Sequence, residues 1–578
     1  MDSSKRYSYN PTLHWNPQVE EYFINAYGAE HFDRISKALT RPSCYSCIRV
    51  NKLKSSTDAI IEKLKAILHE ISLTSSVDTI RIYENGSTSG GAEDKGSSHV
   101  STICKCQIPG LDYVVFVEGS GPYMVDYADA PLGSQKEVIV SRKCAESVLR
   151  GAQVFVPGVL ACSAHVEKGG IVSVSVAVEQ PITDGGWSVG ITRGTVLQGL
   201  ESDPQYFERS GMYIGQGITT MSRAGIFRAS EGIAVEMTNR VFKLPSLRDV
   251  LQGEIFLQNL PSIITAHVLD PQEGERILDM CAAPGGKTTA IALLMRDKGE
   301  VIAVDRSHNK VMYILKLARE MGLSCISAYR LDALRSVSES IETVDTDHVS
   351  LDKEKFDVRV DDVGSFKAAN ENMINPPSTS INHVSNENIK ERIYVSKAVA
   401  RKNNRRLKNG PGRSNCVGGR VAKSKGFRPN SFDRVLLDAP CSALGLRPRL
   451  FAGEETIDSL RGHGTYQRRM FDQAVQLVRP GGVIVYSTCT INPGENEAVV
   501  RYALDTYNFL TLAPQNPRVG GPGLVGRSEF FEGRYIEEWL TDEEAELVQR
   551  FDPSSSLDTI GFFIAKFNVG QKDKGIVS

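Results

Sequence analysis

The pattern of apolar and polar positions divides the chain into three folded segments of different type. In residues 1–137, a helix-like period at Ser56–Glu70 and short apolar runs such as Tyr113–Glu118 predict an α+β region. Residues 138–241 hold short β-rich runs broken by glycine, with turn signals every eight to twelve residues or so, which predicts a small barrel or sandwich. A basic helical stretch, Ser141–Gly151, opens this second segment.

The third segment, residues 242–570, alternates strand-like and helix-like stretches. A buried-strand pattern in ERILDMCA leads to the helix-like TTAIALLMRDKG, and VIAVDRS leads to NKVMYILKLAREMG. Strands that alternate with helices in this way are typical of a parallel, doubly wound sheet. The pattern resumes in FDRVLLDAPCS and GGVIVYSTC. We therefore expect an α/β fold with a Rossmann-like core in this segment.

The alternation stops between about residues 338 and 430. This stretch is first acidic and then polar, and it ends with eleven Lys or Arg and no acid from Lys397 to Arg428. It has few aromatic or β-branched clusters, so we expect a flexible insert in the core. The basic tract is a candidate phosphate-binding arm or nuclear address, and a solvated surface tract is an equal alternative.

Composition narrows the class of protein without identifying a partner. The chain has 578 residues, of which 41% are hydrophobic and 24% charged, as in soluble globular proteins of two or three domains. Its net charge of −2 gives no sign of a nucleic-acid partner, so such a contact must come from local patches. The absence of a secretory or membrane-spanning apolar run predicts an intracellular protein without a membrane partner.

The eleven cysteines are expected to be reduced thiols rather than a disulfide framework. Two close pairs, Cys44 with Cys47 and Cys104 with Cys106, raise the alternative of a zinc site. The pairs lie far apart in the chain and no histidine accompanies them. We therefore expect no metal.

The richest candidate site is the stretch LDMCAAPGGKT at Leu278–Thr288. A strand that runs into Gly285 and Gly286 at a helix start lets the backbone approach a ligand closely, although these glycines alone fit a tight turn without ligand equally well. The next strand ends in Asp305, about 20 residues on, where an acid binds the ribose of a nucleotide-like cofactor. Together they predict a nucleoside cofactor, and the missing GxxxxGK[ST] spacing disfavours ATP.

Three more side chains follow strand-like stretches at the same predicted edge. Asp332 is a candidate adenine contact, although an isolated aspartate is more often a helix cap. Cys441 and Cys489 each come directly after an apolar strand. Because the carboxyl ends of parallel strands line one crevice, we expect the two thiols to converge on the cofactor pocket. Buried, inert cysteines are the alternative.

Two thiols beside a carboxylate suit one particular reaction. Carbon 5 of cytosine becomes nucleophilic only after a thiolate adds to carbon 6, and the carbon 5 proton must leave before the thiolate is eliminated. Asp438, three residues before Cys441, is placed to assist this addition near ring N3 and the exocyclic amine. The positive charge of Lys287 would favour the thiolate form.

These residues match a known family. CAAPGGKT, VDRS, DAPCSALG and YSTCTINPGENE resemble, in the same order, the motifs of the NOP/Sun RNA cytosine-5 methyltransferases over about Lys243–Phe567. The resemblance implies S-adenosylmethionine as the cofactor, Cys489 as the nucleophile and Cys441 as the residue that assists product release. DNA cytosine-5 enzymes carry their nucleophile in a Pro-Cys motif followed by ENV, and no ENV follows Cys441, which favours RNA.

The motif match and the strand pattern together predict two overlapping sets of site residues. The expected catalytic residues are Cys489, Cys441, Asp438 and Lys287. The expected cofactor-binding residues are Cys281, Ala282, Ala283, Pro284, Gly285, Gly286, Lys287, Asp305, Asp332 and Asp438.

The second segment adds an expected substrate. KCAESVLRGAQVFVPGV, at Lys143–Val159, resembles a PUA domain, a small RNA-binding barrel. A PUA domain before this core is characteristic of the sixth member of the Sun family, and the C-terminal QRFDPSSSLDTIGFFIAKF is also similar to it. This resemblance implies a cytidine near the 3′ end of tRNA, with mRNA sites as an alternative. We expect residues 1–137 to bind RNA as well, and a monomer located in the cytoplasm, with the nucleus as the alternative.

Two rival functions remain open at this level. One is a non-catalytic RNA-binding or assembly factor, which the presence of both cysteines and Asp438 disfavours. The other is an rRNA cytosine-5 methyltransferase, which the PUA-like segment disfavours. Candidate phosphate contacts are Arg150 and Lys168, with a solvated surface charge as the alternative for each, and Arg447 and Arg449, which flank Pro448 and are the better candidates.

Overall fold

The computed structural model describes residues 6–83, 102–127, 136–182, 186–247, 249–338, 421–530 and 535–572. Most of the predicted insert and of its basic tract lies outside these described residues, so its expected flexibility stays a prediction. Within the described ranges, no helix combines the length and the apolar character needed to cross a membrane.

The N-terminal region begins with two helices that the sequence patterns did not predict, α1 (Pro17–Tyr27) and α2 (Ala29–Leu39). The Asn16 side chain caps α1 by accepting a hydrogen bond from the Gln18 amide, and Gly28 ends α1 with a φ of 79°. The predicted helix at Ser56–Glu70 is observed as α3 (Thr57–Tyr83). A four-stranded sheet completes the region, with strands, numbered in chain order, β1 (Tyr45–Val50), β2 (Ile103–Lys105), β3 (Val114–Glu118) and β13 (Ile255–Leu257).

The second region is β-rich, as expected. A seven-stranded sheet has the order β10-β6-β4-β7-β11-β12-β5, and two short strands, β8 and β9, form a hairpin. Its elements are β4 (Glu137–Val140), α4 (Arg142–Leu149), β5 (Val154–Phe155), β6 (Val159–Ser163), β7 (Ile171–Val176), β8 (Gln180–Pro181), β9 (Trp187–Ser188), β10 (Thr195–Leu197), β11 (Tyr213–Thr219), α5 (Arg223–Arg228) and β12 (Ile233–Arg240).

The third region is the predicted Rossmann-like core. Its eight-stranded sheet has the order β16-β15-β14-β17-β18-β23-β19, with β22 paired to β23. The strands are β14 (Arg276–Asp279), β15 (Glu300–Asp305), β16 (Ile326–Arg330), β17 (Phe432–Asp438), β18 (Val478–Thr488), β19 (Leu510–Leu512), β22 (Gln549–Phe551) and β23 (Phe562–Val569). The helices are α6 (Leu260–Leu269), α7 (Gly286–Leu294), α8 (His308–Met321), α9 (Ile457–Leu477), α10 (Glu497–Thr506) and α11 (Asp542–Ala545), and a hairpin is formed by β20 (Arg527–Phe530) and β21 (Tyr535–Glu538).

Both faces of the core sheet are buried, as a doubly wound sheet requires. In β14, Ile277 and Leu278 belong to two separate hydrophobic clusters on opposite faces of the sheet. Strands β16, β15, β14, β17 and β18 pair in parallel, so their carboxyl ends share one edge. The direction of strand order reverses at β14 and β17, and a ligand-binding crevice is expected at such a point.

Candidate active site

The glycine loop after β14 begins the site. Gly285 has a φ of 106°, and a Cβ on Gly286 would lie 3.0 Å from a ring carbon of Phe256. The first glycine therefore allows the left-handed turn, and the second allows the start of α7 to pack closely against β13. This local geometry explains why the strand can turn directly into a helix whose first residues face the crevice.

A cavity of about 600 Å³ lies against this loop. Its lining includes the predicted residues Cys281, Ala282, Ala283, Pro284, Gly286, Lys287 and Asp438. The other walls come from the N-terminal sheet, through Cys47, and from the β-rich region, through Ser147 and Arg150. All three regions of the chain therefore meet at one cavity.

Three predicted cofactor residues are not in the lining of this cavity: Gly285, within the glycine loop itself, and Asp305 and Asp332. Asp305 ends β15 and accepts a hydrogen bond from the Ser307 amide, 2.9 Å away. The Asp332 side chain accepts a hydrogen bond from the Leu334 amide and so caps the 3₁₀ helix Ala333–Arg335, which is the helix-cap role given above as the alternative. The same side chain is exposed and lines a neighbouring cleft.

Three strand-end carboxylates act on the thiol of Cys281. Burial first, and then the charges of Asp279, Asp305 and Asp438, raise the pKa of Cys281 well above its ordinary value. Cys281 is therefore a protonated thiol and not a nucleophile. Carboxylates at these strand ends also suit the positively charged sulfonium and ammonium groups of S-adenosylmethionine, so the residues present fit this cofactor.

Asp279 is a site residue that the motif reading missed. It is 1% exposed, and its Oδ2 accepts a hydrogen bond of 2.7 Å from the Thr288 hydroxyl. Burial raises the pKa of Asp279 to about 7, which places its titration near neutrality. Asp279 could have been predicted from its position, because it ends β14 as Asp305 ends β15 and Asp438 ends β17.

Lys287 and Asp438 form an ion pair inside the crevice. The Lys287 Nζ lies 2.7 Å from Asp438 Oδ2, and the other carboxylate oxygen accepts a 2.8 Å hydrogen bond from the Ser487 hydroxyl. The charge of Lys287 was expected to stabilise a thiolate. In the structure it is paired with the carboxylate of Asp438 instead. Both oxygens of Asp438 are held, so this carboxylate has a fixed orientation at the end of β17.

The two predicted thiols converge at the carboxyl ends of β17 and β18. Their sulfur atoms lie 3.4 Å apart. The hydrogen bond to Cys489, together with burial, raises the pKa of Cys441 well above the ordinary value of a thiol. Cys441 therefore keeps its proton, which disfavours it as the nucleophile of the pair.

A buried carboxylate, Glu495, holds the loops that carry the two thiols. It is fully buried, and it accepts hydrogen bonds from the Ser442 amide at 3.0 Å and hydroxyl at 2.5 Å, and from the Gln467 side chain at 2.8 Å. Gln467 also donates to the Pro440 carbonyl at 3.0 Å. Both neighbours of Cys441 are thus tied to one network, which the sequence argument did not identify.

The same network reaches the loop of Cys489. The hydroxyls of Ser442 and Thr490 lie 2.8 Å apart, and the Gly445 amide donates to the Cys489 carbonyl at 3.0 Å. The unpredicted helices α1 and α2 cover this arrangement, because their apolar residues form one hydrophobic cluster with Leu444 and Ile491. The N-terminal region therefore helps to fix both cysteine loops.

Two of the four predicted phosphate contacts, Arg447 and Arg449, are engaged by protein partners, although Arg447 also lines the cavity. The side chain of Arg447 is 4% exposed and forms an ion pair of 2.6 Å with Asp558. Arg449 is also largely enclosed and donates to the Ala443 carbonyl at 2.6 Å. Both guanidinium groups are held by partners within the protein, and the Asp558 that pairs with Arg447 lies too far along the chain to be identified from the sequence. Arg150 lines the cavity and Lys168 is exposed, so both stay candidates.

The cysteine pairs considered for zinc do not assemble a complete ligand set in the described ranges. Cys47 and Cys106 are buried, whereas Cys44 and Cys104 are exposed. Within the part of the chain that the structure describes, no three His, Cys, Asp or Glu side chains are grouped so that they could hold a metal ion.

The fold and the site define a class of protein: a Rossmann-like enzyme with a nucleoside-cofactor crevice and two adjacent thiols. A family model described as 16S rRNA methyltransferase RsmB/F matches residues 266–354 and 384–568. An rRNA (cytosine-C(5))-methyltransferase NOP2C of Arabidopsis thaliana is 61% identical over 99% of this chain and 93% of its own. The chain therefore belongs to the NOP2/Sun family of RNA cytosine-C5 methyltransferases, whose cofactor is S-adenosylmethionine.

Two further relatives bear on the predicted subfamily. The tRNA (cytosine(72)-C(5))-methyltransferase NSUN6 of Mus musculus is 34% identical over 83% of each chain. The crystal structure of NSun6 from Pyrococcus horikoshii with SFG, an S-adenosylmethionine analogue, matches with a TM-score of 0.60 and 26% identity over 96% of this chain and 99% of that one. Because the plant relative is far more similar, the predicted closeness to the sixth Sun-family member is not confirmed.

Proposed function

We propose that this enzyme methylates carbon 5 of a cytidine in ribosomal RNA, with Cys489 as the nucleophile. The observation that supports the reaction is the pair of sulfur atoms 3.4 Å apart at the ends of β17 and β18, where the hydrogen bond to Cys489 and burial raise the pKa of Cys441. The substrate class is supported by the rRNA enzyme that is 61% identical over nearly the whole chain. This substrate replaces tRNA as our first candidate.

In the proposed mechanism, the target cytidine leaves its stack and enters the crevice. The Cys489 thiolate forms a bond to carbon 6, while Asp438, held by Lys287 and Ser487, supports the ring at N3 and the exocyclic amine. When bound, S-adenosylmethionine supplies the methyl group to carbon 5. Loss of the carbon 5 proton then lets the bond between sulfur and carbon 6 break, and Cys441 assists this release.

A cytidine near the 3′ end of tRNA is the second candidate substrate. The relatives named as tRNA cytosine-72 enzymes match most of the chain, including the β-rich region that resembles a PUA domain. Arg150, on the α4 side of the shared cavity, is placed to contact an RNA end in either case. An rRNA substrate would suit the nuclear alternative for localisation, whereas the tRNA substrate suits the cytoplasm.

The test is methyl transfer from labelled S-adenosylmethionine to RNA fractions taken from cells that lack this protein. Labelling of 5-methylcytidine in the large rRNA fraction, at a site that bisulfite sequencing maps, is the expected result. Labelling confined to the tRNA fraction would transfer the assignment to the second candidate. Binding of RNA without any labelling would favour the non-catalytic rival.

A further inference from the structure

A second concave surface, here called the basic cleft, lies next to the cofactor crevice at the β15–β16 end of the sheet. Its volume is about 650 Å³. Five exposed cations and one exposed carboxylate share its lining: Arg306, Arg330, Arg335, Lys423, Lys425 and Asp332. No residue with a proposed role in the chemistry, apart from the candidate adenine contact Asp332, belongs to this surface.

Backbone hydrogen bonds hold these cations together. The segment Val421–Phe427 returns to the core alongside β16, where the Arg330 amide donates to the Ala422 carbonyl at 2.9 Å. Farther on, the Phe427 amide donates to the Ser336 carbonyl at 2.7 Å, and Phe427 packs in the hydrophobic core. The two lysines of the segment are therefore carried on an anchored stretch of chain, opposite the arginines of the sheet edge.

The positive charges of the basic cleft outnumber its negative charges. Among the residues that the structure describes, no ion pair involves any of the five cations, and the only carboxylate in the lining is Asp332. Like charges gathered in a concave surface repel each other and concentrate anions from solution. The cleft is therefore built to receive a ligand with several negative charges.

The charge of the cleft also bears on which ligand it can bind. S-adenosylmethionine carries a net positive charge, so the five cations disfavour it as their partner. RNA carries one negative charge for each nucleotide. Of the two substrates of the reaction, RNA therefore fits the charge of the basic cleft.

We propose that the basic cleft binds phosphates of the RNA substrate away from the target nucleotide, as a docking site additional to the β-rich region. This inference depends on RNA being the substrate, but not on whether that RNA is ribosomal or transfer RNA. Its contacts go to the backbone, so the cleft contributes affinity and register rather than base specificity.

The test compares Lys423→Glu/Lys425→Glu with the wild-type enzyme and with a control, Lys298→Glu/Arg319→Glu. The control makes the same charge change on exposed residues at the amino edge of the sheet, next to the start of β15 and at the end of α8. We expect the cleft variant to raise the Kd for a labelled RNA hairpin and the KM for substrate RNA about tenfold or more. The dependence of log Kd on log salt should become shallower by about 1 to 2, since two phosphate contacts are lost.

Three measurements distinguish the possible outcomes: RNA affinity with its salt dependence, the Kd for S-adenosylmethionine, and kcat. The Kd for S-adenosylmethionine and kcat at saturating RNA should match the wild type, and the control should change none of these values. Unchanged RNA affinity and salt slope in the cleft variant would overturn the inference, and so would a weaker Kd for S-adenosylmethionine, which would assign the cleft to the cofactor. Failure of the proposed function would instead appear as a wild-type enzyme that binds the hairpin and labels no RNA.

Discussion

The carboxyl edge of the core sheet has two halves that are built differently. At the ends of β17 and β18, the residues on both sides of Cys441 and the residue after Cys489 are hydrogen-bonded within a buried network around Glu495. At the ends of β14, β15 and β16, the loop after β14 lines an open cavity, and the side chain of Asp332 is exposed. The first half has its polar groups satisfied by protein, whereas the second keeps polar groups available for ligands.

This difference follows from what each half has to do. A thiolate that must reach one ring carbon needs a fixed position, because a displacement of about 1 Å can cost two orders of magnitude in rate. A binding crevice needs hydrogen-bond capacity that the protein itself does not use. Substitutions in the nucleophile half should therefore reduce kcat, and substitutions in the cofactor half should weaken binding.

The largest effect is expected from the thiols themselves. Cys489→Ala should reduce methyl transfer by about 10⁴-fold or more, because the neighbouring thiol, Cys441, keeps its proton and cannot replace the nucleophile. Cys441→Ala should still form the bond to cytosine but release it slowly, so a covalent protein–RNA adduct should accumulate on denaturing gels. An adduct with Cys489→Ala instead would mean that the two cysteines have exchanged roles.

Glu495→Gln tests whether the buried network positions the thiols. In one orientation the amide nitrogen of glutamine would face the Ser442 hydroxyl and the Asn492 amide, and in the other the Ser442 amide and Gln467, so at least one buried hydrogen bond must be lost. We expect kcat to fall about 100-fold while the Kd for S-adenosylmethionine stays within about twofold. Thermal unfolding should show a folded protein, and an equal loss in kcat and in cofactor binding would indicate general damage rather than positioning.

The two halves were also unequally predictable from the sequence. Residues directly after apolar strands, such as Asp305, Cys441 and Cys489, could be assigned to one edge because parallel strands end together. Glu495, Gln467 and the covering helices could not, since their contacts join loops that only the folded chain brings together. The burial of Arg447 could not be predicted either, because Asp558, which pairs with its guanidinium group, lies 111 residues away in the chain.

In the cofactor half, Asp305→Ala should weaken binding rather than chemistry. A carboxylate at the end of β15 is placed to accept two ribose hydroxyl groups, and charged hydrogen bonds contribute about 1.5–3 kcal/mol. We expect the Kd for S-adenosylmethionine to rise about ten- to hundredfold, with kcat at saturating cofactor nearly unchanged. Isothermal titration and steady-state kinetics measure the two quantities, and a fall in kcat alone would contradict the assigned role.

The smallest effect should come from Asp279, whose pKa burial raises to about 7. A cationic cofactor prefers the ionised carboxylate, so its Kd should tighten up to about tenfold between about pH 6 and pH 8. The cofactor-free protein should change in the opposite sense: the folded state holds a proton that the unfolded chain has released, so its stability falls as pH rises from about 4 to about 7. Asp279→Asn should remove both slopes, while the cofactor's own titration stays in both proteins. If the variant keeps the wild-type pH dependence of Kd, Asp279 does not face the cofactor.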